Sequence, residues 1–182
     1  MNSISPKHPR FKSLIIREQI IHNFNNGSVV NHGLIAHGRG EAFDYLIGET
    51  TIPPTINAIK AAAITLLNSQ NPVISVNGNV AALVPNEIVT LSNIINCKIE
   101  INLFHQSKTR TKIISNLLYK SGAKEILGLK SLINIPEIFS NRSQVDPEGI
   151  FKADTVLVPL EDGDRVQTLV KMGKKVIVID LN

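Results

Sequence analysis

From residue 72 onward, short β-branched runs alternate with longer segments of helical periodicity. That alternation narrows the possible architectures more than any other feature of the sequence. The runs are PVISV (72–76), KIEIN (98–102), EILGL (125–129), TVLVP (155–159) and KVIVID (175–180). Between them lie NEIVTLSNII, entered through Pro85, SKTRTKIISNLLYKSG, closed by Gly122, and DRVQTLVKMG. Strands separated by helices of this length return to one sheet in parallel, through right-handed crossovers. The expected fold is α/β: a three-layer Rossmann-like core over residues 70–182 with a mostly parallel sheet. Residues 130–153, which include NRSQVDPEGI, read as irregular. Ligands of open α/β sheets sit beyond the carboxyl ends of the strands, and the last strand reaches that edge at Asp180.

The first 69 residues differ in character. In RFKSLIIREQIIHNFNN (10–26), Phe11, Leu14, Ile15, Ile21 and Phe24 mark one face of a helix, with Arg17 off that stripe and Gly27 as its terminator. Residues 28–52 interleave Gly33, Gly38, Gly40 and Gly48 with His32, His37, Arg39, Glu41 and Asp44. Glycine at that density favours close backbone approach to a ligand at the cost of local order. A helix opened by Pro53-Pro54 follows, to about Ser69. These residues are expected to pack on the core as a helical, glycine-rich segment, giving a single structural domain.

Composition sets limits. Hydrophobic residues make up 43% and charged residues 19% of the 182, which suits a folded chain with one sizeable core. Nineteen basic against 15 acidic residues give +4, a balance that favours an anionic ligand. The basic residues are dispersed and aromatics reach only 4%, so nucleic acid is not the expected partner. Cys97 is the single cysteine, which rules out an internal disulfide and fits a reducing cytoplasm; next to KIEIN it reads as a small apolar filler. No apolar run long enough for a signal peptide or a membrane span is present, so a cytoplasmic location is expected.

Three segments carry candidate chemistry. In HGRGEAFDYLIGE, Arg39 between two glycines can present its planar fork to a phosphate, and His37, Glu41 and Asp44 are placed for acid–base or Mg²⁺ roles. A structural glycine turn whose arginine pairs with its own neighbouring carboxylates explains it equally. In ISVNGNVAALVP, Asn77, Gly78 and Asn79 follow a buried strand, and the backbone N–H groups there can cradle an anion. An ordinary strand-to-helix turn made by Gly78 is the competing reading. In VPLEDGDR, Glu161, Asp162 and Asp164 could hold magnesium, or Asp162 or Asp164 could cap the next helix, and the cap is favoured for one of them. No GxxxxGK[ST] and no GxGxxG after a strand occur, and His8, His22 and His105 lack metal-ligand spacing.

Longer stretches add a resemblance. HPRFKSLIIRE (8–18), GLIAHGRGEAFDYLIGE (33–49), PVISVNGNVAALVP (72–85), GAKEILG (122–128), VDPEGI (145–150) and VLVPLEDGDRVQTLVKMGKKVIVIDLN (156–182) run from end to end of the chain. They closely resemble the archaeal phosphopantothenate synthetase family, the 4-phosphopantoate–β-alanine ligases of coenzyme A biosynthesis. The resemblance implies an ATP-dependent condensation of 4-phosphopantoate with β-alanine, giving 4'-phosphopantothenate, AMP and pyrophosphate through an acyl adenylate, with Mg²⁺ accompanying ATP. It implies ATP contacts from Arg17, Arg39, Asp180, Leu181 and Asn182, and a homodimer. Family members continue beyond DLN with residues that complete the nucleotide site, so this chain is expected to stop short of that completion.

Two assignments are inferences from the residues beside that resemblance. Asn77, Gly78 and Asn79 are expected to hold phosphopantoate, because their loop shares the sheet edge with DLN. His37 is expected to take a proton from the β-alanine ammonium, on its pKa range and its place beside Arg39. A small-acid kinase on the same scaffold and a non-catalytic nucleotide- or RNA-binding module are the alternatives.

Overall fold

The computed structural model describes residues 4–130, 132–160 and 163–180. Four parallel strands form the sheet: β1 (Pro72–Val76), β2 (Lys98–Ile101), β5 (Thr155–Pro159) and β6 (Lys175–Ile179), in the order β2-β1-β5-β6. The register pairs Ile74 with Ile99 on one side and with Leu157 on the other, and Leu157 with Ile177 beyond. Between β1 and β2 run α4 (Gly78–Leu83) and α5 (Pro85–Ile95), and α6 (Lys108–Lys120) follows β2. A short antiparallel ribbon, β3 (Ile133–Asn134) with β4 (Gln144–Val145), lies within the stretch expected to be irregular. The helix α7 (Gly163–Lys171) links β5 to β6.

Alternation of side chains along the strands builds two apolar layers. Ile74, Val76, Ile99, Ile101 and Leu157 pack with Ile88, Val89, Ile114 and Leu118 of α5 and α6. Val73, Val156 and Val158 pack on the opposite face with Ile135, Val145, Ile150 and Leu169. The sheet is therefore covered on both sides, as a three-layer Rossmann-like fold requires.

Before the sheet come α1 (Phe11–Asn25), α2 (Asn31–Leu46) and α3 (Pro53–Leu67). The second corrects the sequence reading, because the glycine-rich segment is a helix and not a turn. Gly38 faces open space, and Gly33 is where the chain needs a missing side chain: a Cβ there would collide with the Asn79 amide oxygen of α4. An interior glycine costs a helix about 1 kcal/mol against alanine. Packing of Leu34 against Ile20, Val29 and Ala82, with ion pairs from Arg10 and Arg17 to Glu41, offsets that cost. The chain leaves α2 only at Gly48, where φ is +87°.

The expected strand at 125–129 contracts to a single parallel bridge between Leu127 and Glu100. Gly128 ends it: its φ of +82° turns the chain away, where a Cβ would strike the carbonyl oxygen of Ile101. Among the described residues, no helix is long and apolar enough to cross a membrane.

Candidate active site

The strand order reverses direction beside β1: its crossover leads to β2 on one side, while β5 and β6 lie on the other. Such a switch point opens a crevice between the loops that follow the two strands. Asn77 and Leu160, the residues after β1 and β5, meet there. The Asn77 side-chain oxygen accepts from the N–H of Val80, capping α4 at 3.0 Å, while its amide nitrogen donates to the carbonyls of Pro159 (2.9 Å) and Leu160 (3.2 Å). Asn77 thus ties both lips of the crevice together.

A cleft of about 520 Å³ opens beyond this tie. It brings together five residues expected from the sequence: Arg39, Asn77, Gly78, Asn79 and Asp180. Asn79 is buried and donates from its side-chain nitrogen to the carbonyl of Gly33 at 2.8 Å, which fixes the start of α2 against α4. Arg39 projects from α2 into the cleft as an exposed side chain.

Arg17 and His37 sit apart, with a neighbouring, largely apolar cavity of about 280 Å³ that His37 lines with Ile16, Leu160, Ile179 and Asp180. Arg17 binds Glu41 at 2.7 Å, and Arg10 reaches the same carboxylate at 3.0 Å and Glu49 at 2.8 Å. Burial opposes ionisation of Glu41, yet the hydrogen bonds and charges of Arg17 and Arg10 outweigh it and hold its pKa below the usual carboxylate range. Burial also pushes the His37 imidazole below its ordinary value, against the attraction of Glu41, and its Nε2 is buried without a hydrogen-bond partner. Asp180 borders both cavities.

Asp164 lies inside the first turn of α7 and not at its cap; its carboxylate accepts the N–H of the adjacent Arg165 at 2.8 Å. Glu161, Asp162, Leu181 and Asn182 lie outside the described residues. Among those described, no three acidic, histidine or cysteine side chains gather to hold a metal. Asp180 is the single carboxylate of the described cleft lining.

Four further cleft residues escaped the sequence reading as a group: His32, His105, Arg110 and Arg142. His105, which lacks metal-ligand spacing in the sequence, stacks on His32 with ring centroids 4.5 Å apart. Arg110 carried a signal, since with Ile114 and Leu118 it repeats at four-residue spacing on the buried face of α6. A cation on an apolar stripe is unexpected unless it serves something. Arg142 is delivered by the β3–β4 segment, docked through Asn102, whose amide donates to the carbonyls of Arg142 (3.3 Å) and Gln144 (2.9 Å).

Relatives share this chain over its whole length. A model of the phosphopantothenate/pantothenate synthetase family matches residues 54–182. A 4-phosphopantoate–β-alanine ligase from Thermococcus onnurineus is 54% identical over 183 residues, covering all of this chain and 70% of the relative. Ligases of the same name from Thermococcus kodakarensis and Methanosarcina mazei are 52% and 50% identical, again over all of this chain, and over 70% and 72% of their own lengths. With so continuous an identity, this chain belongs to the phosphopantothenate/pantothenate synthetase family.

Proposed function

We propose that this protein is an ATP-dependent ligase of coenzyme A biosynthesis that joins 4-phosphopantoate to β-alanine, releasing AMP and pyrophosphate. The observation that carries the reading is the switch-point cleft, where Arg39, Asp180 and the 77–79 turn converge, in a chain about half identical to ligases of that name. In the first step the substrate carboxylate attacks the α-phosphorus of ATP and pyrophosphate leaves. In the second, the β-alanine amine attacks the acyl carbon of the adenylate, the amide bond forms and AMP departs.

Negative charge builds on the phosphates in the first step, and Arg39 supplies the matching cation at the cleft mouth. Arg17, paired with Glu41, is assigned to the nucleotide with Asp180, Leu181 and Asn182; Asp180 at a strand end suits a ribose hydroxyl. Mg²⁺ bound with ATP supplies further charge neutralisation. The 77–79 turn forms the wall against which phosphopantoate lies. His37, held neutral by burial, is assigned the proton that β-alanine must lose before its amine can attack.

A homodimer fits the amino-terminal helices. α3 buries only Leu66, and it leaves Ile59 56% and Ile64 61% exposed, while Leu46 at the end of α2 is 80% exposed. Apolar surface of that extent suits a second copy of the chain. The nucleotide product tests the reading: AMP formed only when both acid and amine are present supports it, whereas ADP points to a kinase on the same scaffold.

A further inference from the structure

Along β2 and its continuation, Ile99, Ile101 and Leu103 turn into one apolar layer of the core. Glu100 and Asn102 turn to the other face and are just as deeply buried, at 0% and 3% exposure. Buried polar side chains on a strand are costly unless they hold something. Glu100 holds the N–H groups of Asp146 and Ile150. Asn102 holds the stretch just before them: its amide nitrogen donates to the carbonyls of Arg142 (3.3 Å) and Gln144 (2.9 Å), one on each side of Ser143. Two residues further on, the carbonyl of Phe104 accepts from the Asn141 side chain at 3.0 Å. Alternate residues of one strand, which share a face, thus strap down the segment 141–150.

That segment cannot place itself. β3 and β4 are two residues each and pair only Ile133 with Val145 and Asn134 with Gln144. So short a ribbon does not fix its own register, and a slip of one residue turns every side chain to the opposite face. Asn102 supplies the missing reference point, because its own backbone N–H donates to the carbonyl of Val76 at 3.0 Å, immediately before Asn77. The direction of the amide is forced as well. Exchanging its nitrogen and oxygen would set the oxygen against two carbonyls. Gripping both carbonyls leaves the side-chain oxygen buried with no hydrogen-bond partner, an arrangement that does not favour the fold by itself. Asn102 does not line the cleft, whereas Arg142, with 9% exposure, does.

We propose that Asn102 is a positioning residue for the reaction in the cleft, acting through Arg142: it ties the 142–144 backbone to the end of β1 and so fixes where the Arg142 guanidinium stands. The proposal rests on the ligase reading for the reaction that Arg142 serves, but not for the tie itself. A cation set in place before phosphate groups arrive stabilises the charge they develop without reorganising. A displacement of about 1 Å in such a group can cost on the order of a hundredfold in rate.

The test is a double-mutant cycle in kcat/KM for AMP formation, using Asn102→Ala, Arg142→Met and the two combined. Asn102→Ala and Arg142→Met are each expected to lower kcat/KM about tenfold or more. The combined variant should lie within about twofold of Arg142→Met alone, because Asn102 has nothing left to position. Effects that multiply would show that Asn102 acts on the fold and not through Arg142, and wild-type kcat/KM in either single variant also overturns the proposal. If Asn102→Ala does not fold, Asn102→Ser, which keeps one donor, takes its place in the cycle. Hydrogen exchange read by mass spectrometry judges the tie without reference to the reaction. Exchange over residues 141–145 should quicken about tenfold or more in Asn102→Ala while that over α6 is unchanged; unchanged exchange over 141–145 overturns the tie. A wild-type chain that forms no AMP refutes the ligase reading, and the exchange measurement still decides whether Asn102 holds the segment.

Discussion

Gly78 and Arg110 interlock: the Nη2 of Arg110 fills the space that a side chain at position 78 would occupy, beside the carbonyl of Ser28. The glycine after β1 is therefore small because an arginine from α6 passes over it on the way to the cleft. Gly78→Ala forces both the guanidinium and the Ser28 backbone to shift, and overpacking of this kind costs about 1–3 kcal/mol. Thermal unfolding should show that loss, and KM for phosphopantoate should rise more than KM for ATP. Equal stability and unchanged KM values would mean that Arg110 can sit elsewhere at no cost.

Glu41 holds Arg17 and Arg10 together. These are partly exposed pairs, worth under about 1 kcal/mol of stability, so the role we assign Glu41 is orientation. Glu41→Ala should change the melting temperature little and raise KM for ATP several-fold, with KM for β-alanine unaffected. A several-fold rise in the β-alanine KM instead would place Arg17 elsewhere in the reaction.

His37 is assigned to the second half-reaction only. His37→Asn should lower overall turnover about 10²-fold or more, the usual scale for a lost general base. It should leave phosphopantoate-dependent exchange of pyrophosphate into ATP close to wild type, because no amine takes part in that exchange. If exchange and overall turnover fall together, His37 serves the nucleotide or the fold and not the amine.

Glu100 is fully buried on β2, where it accepts the N–H groups of Asp146 (3.0 Å) and Ile150 (2.5 Å) from the VDPEGI loop. Burial drives its pKa up to about 7, against those two hydrogen bonds and the charge of Arg165. A carboxyl with a raised pKa stays protonated in the fold while the unfolded chain gives its proton up, so its contribution falls as pH rises from the ordinary carboxylate range toward 7. The expected loss is on the order of 3 kcal/mol across that window. His37 and His105, with lowered values, act in the opposite sense as pH rises toward the ordinary histidine range. The comparison is therefore with Glu100→Gln: the difference in stability between the two chains should narrow as pH rises from 5 to 7. A constant difference would show that Glu100 is ionised throughout.

The core strands were legible because their signal is local. β1 and β5 match their apolar runs residue for residue, and Gly122 and Gly173 end α6 and α7 with positive φ, as glycine after a helix should. α2 was not legible, because Gly33, Gly38 and Gly40 argue against a helix and what overrides them is tertiary: Asn79 pressing on Gly33, and Arg10 and Arg17 gripping Glu41. The strand at 125–129 failed for a similar reason, since Gly128 turns where Glu100 and Ile101 already stand. At the site, loop residues next to strand ends could be found from sequence, as Asn77, Asn79 and Asp180 were. Arg110 and His105 converge on them from the β2–α6 region, and a pairing between residues so far apart in the chain leaves no spacing to read. Only the misfit of Arg110 on an apolar stripe hinted at it.

The central claim is that the acid is activated on ATP before it meets the amine. Phosphopantoate labelled with ¹⁸O in its carboxylate tests this most directly, by mass spectrometry of the nucleotide released in the presence of β-alanine. The account predicts one ¹⁸O in the phosphate of AMP for each amide formed, because the carboxylate oxygen that attacks the α-phosphorus leaves with it. Amide formation with unlabelled AMP, or label recovered in inorganic phosphate beside ADP, would contradict it.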